Sequence, residues 1–85
     1  MYTYRVEIIR HDLEYDAIIA VNSKKDIKKL LNISNNKLKM WKVTKNPDDI
    51  KAATLRPGKV LARPSFINDD YSFDSYVEID TNFTI

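Results

Sequence analysis

The hydrophobic residues of this chain change their spacing along its length, and each spacing predicts a different element of secondary structure. Near the start every second residue is aromatic or aliphatic: Tyr2, Tyr4, Val6 and Ile8 alternate with polar residues. Alternation with period two is typical of a β-strand that has one buried face. Residues 15–21 alternate in the same way after a short polar stretch. Because the two segments lie so close in sequence, we predict an antiparallel hairpin.

The spacing then changes to that of an amphipathic helix. Ile27, Leu30 and Leu31 follow the i, i+3, i+4 pattern that places apolar side chains on one helical face. Ser23 is the predicted N-cap, and Asp26 lies three residues later, where a carboxylate completes a capping box. The asparagine-rich stretch after Leu31 predicts the end of the helix, because asparagine tolerates the left-handed conformation found there.

The rest of the chain predicts further strands and one short helix. Residues 37–45 are predicted as a third strand with mixed faces. Residues 46–55 begin with Asn, Pro and two acids, which suit an N-cap, the first helical position and the positive end of a helix dipole. Residues 56–59 fit a type II turn, and residues 60–62 a brief strand. Residues 72–85 alternate most regularly and predict a long final strand.

These elements predict a small α+β domain. The order is β-β-α-β-(α)-β-β, and 85 residues suffice for one modest core. We therefore predict that residues 1–85 form a single domain, with a mainly antiparallel sheet and one main helix packed on a face.

Charge is distributed unevenly along the chain. The formal net charge is only +2. Residues 22–63 nevertheless carry twelve Lys and Arg against three acids, whereas residues 64–85 carry five acids and no base. Such an asymmetry points to charged surfaces that meet a partner.

The residues that most catalytic and cofactor sites require are scarce. The chain has no cysteine, His11 is its one histidine, and Gly58 its one glycine. Thiolate chemistry and phosphate-binding glycine loops are therefore absent, and a serine triad would depend on His11. Asp12, Glu14 and Asp16 resemble the opening of a calcium loop, but the required glycine is missing. We expect no enzyme activity, no metal site and no cofactor.

The lysine-rich stretch 24–45 predicts a basic face. Lysines interleaved with an aromatic residue suit single-stranded nucleic acid, because the charges follow phosphates and the ring stacks on bases. The alternative is that the lysines are ordinary solvated residues and that Trp41 belongs to the core. The residues of the predicted basic face are Lys24, Lys25, Lys28, Lys29, Lys37, Lys39, Trp41 and Lys42.

The final predicted strand carries an acidic face formed by Asp74, Tyr76, Glu78 and Asp80. Neighbours on this face would lie roughly 6.6–6.8 Å apart, which is of the order of the spacing of phosphates along a nucleic-acid strand. The face could therefore mimic nucleic acid in the basic channel of a partner. Two alternatives remain: a solvated face that keeps an edge strand from pairing, or a counterweight to the basic strand beside it.

Two functions fit these patterns. The first is a small non-enzymatic binding protein that blocks a nucleic-acid-handling partner through its charged faces, as an inhibitor of the anti-CRISPR or anti-restriction kind. Small size, a composition typical of AT-rich genomes and the lack of a catalytic set resemble accessory proteins of phages and mobile elements. The second is direct binding of single-stranded DNA or RNA by the stretch 24–45 and Trp41.

The expected setting is the cytoplasm. No apolar run approaches the length of a membrane span, and the first residues lack the apolar core of a signal peptide. We expect a protein partner, with nucleic acid as the alternative ligand, no membrane contact, and pairing of the final strand with a second copy as one route to a homodimer.

Overall fold

The computed structural model describes residues 1–10, 12–64 and 76–79 of the chain. The predicted small α+β domain with an antiparallel sheet is confirmed. The elements are β1 (Tyr2–Arg10), β2 (Leu13–Val21), α1 (Lys24–Leu31), α2 (Asn35–Leu38), β3 (Lys42–Val43), α3 (Pro47–Leu55), β4 (Leu61–Pro64) and β5 (Val77–Glu78).

The sheet is built around the first hairpin. Its strand order is β3-β1-β2-β4-β5, and every neighbouring pair is antiparallel. The hairpin is regular from the pair Tyr2–Val21 to the pair Arg10–Leu13. The predicted hairpin is therefore confirmed, and it supplies two central strands of the sheet.

Helices cover both faces of the sheet. On one side, which we call the α1 face, Tyr4, Val6 and Ile8 of β1 pack with Ile27 of α1 and with Trp41. On the other side, which we call the α3 face, Ile18 and Ala20 of β2 pack against α3. The second strand is buried on both faces because each of them has a helical layer. A second helix, α3, thus adds to the one packed helix that the sequence predicts.

Local signals in the sequence position α1. The Asp26 carboxylate accepts a hydrogen bond of 3.2 Å from the backbone N–H of Ser23, as the capping box predicts. At the other end Asn32 adopts the left-handed conformation, with φ of 52°, and its N–H donates to the carbonyl of Lys28. Both predicted ends of α1 are confirmed.

The predicted third strand, residues 37–45, is wrong over its first half. Residues 35–38 form α2, whose N-cap Ser34 accepts a hydrogen bond from the backbone N–H of Lys37. A further turn follows, with the Trp41 N–H donating to the Leu38 carbonyl, and β3 has only two residues. Helical spacing puts Leu38 and Trp41 on the same side, so both reach the core, whereas strand spacing would have put them on opposite faces.

The helix α3 and the turn after it follow their sequence signals. The side chain of Asn46 accepts hydrogen bonds from the backbone N–H groups of Asp48 and Asp49. The helix ends at Leu55, and Gly58 has φ of 78°, the positive value that the third position of a type II turn requires. The α3 prediction is confirmed, and the geometry of Gly58 agrees with the predicted turn.

The two remaining strands differ in how far the structure describes them. The predicted strand 60–62 is displaced to Leu61–Pro64, with the proline at its last position. Of the predicted strand 72–85, β5 lies within residues 76–79, and the remaining positions lie outside the described residues. No helix in the described ranges is long and apolar enough to cross a membrane.

Candidate functional site

One side of α1 is covered by lysines. Ile27 is fully buried against the sheet, and the exposed Lys25, Lys28 and Lys29 lie on the side of the helix away from it. Lys24 lies at the border and is half-buried. The four side chains occupy one continuous sector because successive residues are rotated by about 100° around a helix.

The short helix α2 adds two exposed lysines next to this sector. The Lys28 ammonium donates a hydrogen bond of 2.6 Å to the Asn35 side chain, which fixes the start of α2 beside α1. Lys37 and Lys39 are exposed at the far end of α2, where Leu38 points into the core. We call the following residues the lysine surface: Lys24, Lys25, Lys28, Lys29, Lys37 and Lys39.

The single acid of α1 does not neutralise the lysine surface. The Asp26 carboxylate accepts the backbone N–H of Ser23 at the first turn of the helix. A carboxylate in that position is held by the N-terminal end of the helix and interacts favourably with its dipole. The lysine surface therefore keeps most of its positive charge.

Lys42 does not belong to this surface. It pairs with Arg5 in the register of β3 and β1, and partners in a register project from the same face of a sheet. The guanidinium of Arg5 contacts carboxylates on the α3 face. The structure thus groups the four predicted lysines of α1 in one sector, places the exposed Lys37 and Lys39 on the neighbouring α2, and puts Lys42 at a sheet edge on the opposite face.

Trp41 is a core residue, so its assignment to the basic face is wrong. It has 0% exposure and packs in the α1-face core with Ile27. A ring in that position cannot stack on a base. Its indole Nε1 has no hydrogen-bond partner within the described residues. Of the two interpretations of Trp41, a base-stacking ring or a core residue, the structure supports the core residue.

The predicted acidic face is not accessible at every one of its described positions. Tyr76 is 7% exposed and belongs to the α3-face core, so the expectation that it lies on an accessible acidic face is wrong. Glu78 is exposed, with a carboxylate oxygen 3.9 Å from the guanidinium of Arg56. Asp74 and Asp80 lie outside the described residues.

The proposed counterweight between the acidic and basic strands is wrong as well. β3 lies at one edge of the sheet and β5 at the other, with three strands between them. Cross-strand pairs require neighbouring strands, so the lysines before β3 and the acid of β5 do not pair across the sheet.

Tyr76 belongs to a buried polar cluster that the sequence did not predict. At its centre lies Asp49, which has 0% exposure. Its carboxylate accepts hydrogen bonds from the Tyr76 hydroxyl at 2.5 Å and from the Thr44 hydroxyl at 3.1 Å. The Arg5 guanidinium lies 3.5 Å away. The buried charge is therefore stabilised by donors from three separate elements or loops.

Arg5 extends the cluster across the hairpin. Its guanidinium lies 2.9 Å from the Asp16 carboxylate, which is also buried. Burial by itself would lower the pKa of Arg5, but the charge and hydrogen bond of Asp16, together with the charge of Asp49, raise it. Arg5 is thus held as a cation between two carboxylates.

The Tyr76 hydroxyl is held in its neutral form. Burial is the main cause that raises the pKa of Tyr76, and the hydrogen bond to Asp49 and the negative charge of that residue raise it further. The guanidiniums of Arg63 and Arg5 oppose this change, and that of Arg63 lies over the Tyr76 ring at 4.6 Å from its centre.

This cluster fits a structural role. The oxygens of Asp49 are occupied by donors and inaccessible, and a tyrosine whose pKa is raised stays protonated and releases its proton less readily. One signal for the cluster is present in the sequence. In the observed register of the hairpin Glu7 lies opposite Asp16, so Arg5, two residues before Glu7, lies diagonal to Asp16 on the same face. The contact between Asp49 and Tyr76 joins residues far apart in sequence and has no local signal.

Two open grooves lie on the surface of the described residues. One, of about 460 Å³, follows the edge of β1 near β3 and is lined by Arg5, Val6, Glu7, Met40, Lys42, Val43 and Thr44. The other, of about 360 Å³, lies beside α1 and the turn after α3 and includes Lys29, Leu30 and Gly58.

Comparison with known proteins gives no relative. Neither a protein-family model, nor a curated protein, nor a solved structure matches the chain. The function therefore has to be inferred from the geometry of the described residues alone.

Proposed function

We propose that this chain is a small non-enzymatic binding protein that acts through its lysine surface as an inhibitor of a nucleic-acid-handling partner. The lysine surface would cover either an acidic patch of that partner or the nucleic acid that the partner holds. Such a role, of the anti-CRISPR or anti-restriction kind, requires surface contact and no chemistry.

The observation that carries this proposal is the arrangement of α1 and α2. Four lysines share one sector of α1, and the contact between Lys28 and Asn35 holds α2, with the exposed Lys37 and Lys39, beside that helix. The one acid within α1, Asp26, is engaged in its helix cap. A concentrated positive surface attracts anionic partners over distances of about a Debye length, roughly 8–10 Å at physiological salt.

The burial of Trp41 favours a partner over bare single-stranded nucleic acid. Base stacking contributes about 1–3 kcal/mol per base to single-strand binding, and the core position of Trp41 removes that contribution. Lysines alone provide charge with little geometric selectivity. A partner that offers its own shaped anionic surface would supply the missing selectivity.

The acidic-mimic version of this function receives less support. Within the described residues, the acidic face contributes Glu78, which lies near Arg56, while Tyr76 is buried. The lysine surface is therefore the better candidate for the contact.

A charge-reversal experiment tests the proposal. Lys25→Glu combined with Lys29→Glu changes two exposed residues of the lysine surface. The matched control is Lys45→Glu combined with Lys59→Glu, which makes the same change of net charge at exposed positions outside that surface. Immobilised wild-type protein, test variant and control are each incubated with nuclease-treated bacterial lysate, and the retained proteins are identified by mass spectrometry.

We expect a nucleic-acid-handling protein that is retained by the wild type and the control and lost by the test variant. Retention of the same protein by the test variant, with circular dichroism showing that all variants are folded, would remove the lysine surface from the contact. Recovery of no nucleic-acid-handling protein with the wild type would count against the inhibitor function.

Direct binding of single-stranded DNA or RNA is the second candidate, supported by the same lysines acting on phosphates alone. It predicts a gel shift with bare oligonucleotides. The logarithm of affinity would fall with the logarithm of salt concentration by about 0.7 for each phosphate contacted. Lys28→Glu with Lys39→Glu would reduce that slope. The absence of any shift at low salt would exclude this candidate.

A further inference from the structure

The outer edge of β1 is only partly covered by β3. The backbone N–H of Thr44 donates to the carbonyl of Thr3, so Thr3 directs its backbone groups toward β3. In an antiparallel ladder alternate residues point to the same side, so Arg5, Glu7 and Ile9 direct their backbone groups the same way. The first residue of β3, Lys42, lies opposite Arg5, so the pairing of β1 with β3 does not continue beyond Arg5.

The backbone groups of Glu7 and Ile9 consequently have no strand partner in the part of the chain that the structure describes. Both side chains are exposed, and Ile9 is 73% exposed, the highest value among the large hydrophobic side chains described. An edge strand with unpaired backbone groups is a ready template for another strand. The edge of β1 at residues 6–10 therefore has the features of a pairing site.

We propose that this edge pairs with the same edge of a second copy of the chain, forming a symmetric dimer with a continuous sheet. The two copies of β1 run antiparallel, and the two-fold axis passes beside Ile8. Glu7 then exchanges N–H···O=C hydrogen bonds with Ile9 of the second copy, and Ile9 with Glu7 of the second copy.

The length of the open edge fits this occupant. At one end the unpaired stretch of β1 is limited by β3, whose Lys42 lies opposite Arg5. At the other end β1 ends at Arg10, where the hairpin turn begins. The unpaired stretch, residues 6–10, is thus centred on Ile8. The β1 strand of a second copy would fill it, and its chain would enter the hairpin turn before reaching β3 of the first copy. A longer, unrelated strand would run into Lys42.

Charge supports the same arrangement. The register brings the hairpin turn of one copy, with the exposed Asp12, toward the exposed Lys42 of the other. On the α3 face each Ile9 lies opposite Glu7 of the second copy, so no like charges are paired. The dimer requires neither the lysine surface nor the final strand.

Sedimentation equilibrium of the full chain, from about 10 µM to about 1 mM, tests the proposal, since interfaces below about 1,200 Å² are weak. We expect reversible dimerisation. Ile9→Glu would place like charges opposite each other twice and raise the dissociation constant by about tenfold. Ile9→Lys would pair with Glu7 of the second copy and leave the dissociation constant unchanged or lower.

The matched control is Val77→Glu, at an exposed position on the opposite edge strand β5, where 60% of the side chain is accessible. We expect this variant to dimerise like the wild type. A chain that stays monomeric throughout the range would overturn the proposal. So would a dimer that responds equally to Ile9→Glu and Val77→Glu, or only to Val77→Glu.

A cysteine variant tests the register independently of charge. Because Ile8 is buried in the α1-face core, circular dichroism first checks that Ile8→Cys is folded. Two Ile8 residues facing each other across the axis would have Cα atoms about 4.5 Å apart, within the range that a disulfide spans. The chain has no cysteine, so Ile8→Cys can form only an intermolecular bond. We expect it to cross-link under mild oxidation faster than Tyr2→Cys, which is more exposed but lies outside the paired segment. Faster cross-linking of Tyr2→Cys would contradict the register.

Discussion

The hydroxyl of Tyr76 donates a hydrogen bond of 2.5 Å to the carboxylate of Asp49, joining the start of the β5 segment to the first turn of α3. Both residues are buried on the α3 face. The residues lie on different elements, so this contact holds the end of the described chain against a helix formed much earlier in the sequence. Its energetic contribution can be measured directly.

Tyr76→Phe removes the hydroxyl and keeps the ring. We expect the free energy of unfolding to fall by about 1.5–3 kcal/mol, because the buried Asp49 carboxylate loses its shortest donor. Urea denaturation followed by circular dichroism measures this change. The control is Tyr2→Phe, which removes a hydroxyl from an exposed side chain and should change stability by less than about 0.5 kcal/mol. Equal effects of the two variants would show that the hydrogen bond contributes nothing.

Asp49→Asn distinguishes the buried cluster from the helix dipole. Asp48 and Asp49 both lie in the first turn of α3, so a dipole effect alone predicts similar losses for Asp48→Asn and Asp49→Asn. Asp49 also accepts bonds from Thr44, Tyr76 and Arg5, whereas Asp48 is exposed. We expect Asp49→Asn to cost about 1.5–3 kcal/mol more than Asp48→Asn in urea denaturation. Losses that agree within about 0.5 kcal/mol, the limit expected for surface changes, would argue against the cluster.

Stability should fall at alkaline pH through Tyr76. Its pKa is raised in the folded protein, so the unfolded chain loses this proton first as the pH rises through about 10. The stabilising effect is complete below that pH and is lost progressively above it. We expect the free energy of unfolding of the wild type to decrease between about pH 9 and 11 more steeply than that of Tyr76→Phe. Parallel curves for the two proteins would contradict the raised pKa.

The fluorescence of Trp41 should report a buried indole. Trp41 is the one tryptophan of the chain and has 0% exposure. We expect blue-shifted emission, weak quenching by iodide, and no direct quenching by oligonucleotides. The comparison protein is Trp41→Phe with Tyr2→Trp, which carries its indole at an exposed site and should be quenched strongly. Comparable quenching of both proteins would place Trp41 at the surface.

The elements that the sequence predicts correctly are those fixed by local chemistry. The alternation in the hairpin, the cap at Ser23, the left-handed Asn32 and the cap at Asn46 each act within a few residues. Such signals keep their meaning in any fold, because they concern backbone groups at the ends of elements. The α+β class follows from them.

The segment 35–41 was mispredicted because its local signals are ambiguous. Leu38 and Met40 suit strand alternation, and Leu38 and Trp41 suit a helical turn. The choice depends on where the core lies, since the helical arrangement buries Leu38 and Trp41 together against α1. A pattern in one short segment does not contain that information.

The candidate site was only half predictable for a similar reason. The lysines of α1 could be placed on one side from helical periodicity, because Ile27 defines the buried side. The burial of Asp49 and Tyr76 could not be predicted. Each is a polar residue whose burial depends on a tertiary contact with the other. Charge alone also failed to separate Lys42 from the other lysines, because the direction of its side chain follows from its pairing with Arg5.

The placement of α1 and α3 on opposite faces of the sheet separates the lysine surface from the buried ionic network. The exposed lysines of α1 lie on one outer layer, and the contacts of Asp49 that secure α3 lie on the other side of the sheet. Substitutions of those lysines should therefore change the charge of one outer layer without disturbing the contacts of the other. The chain can in this way vary one surface independently of the network that maintains its fold.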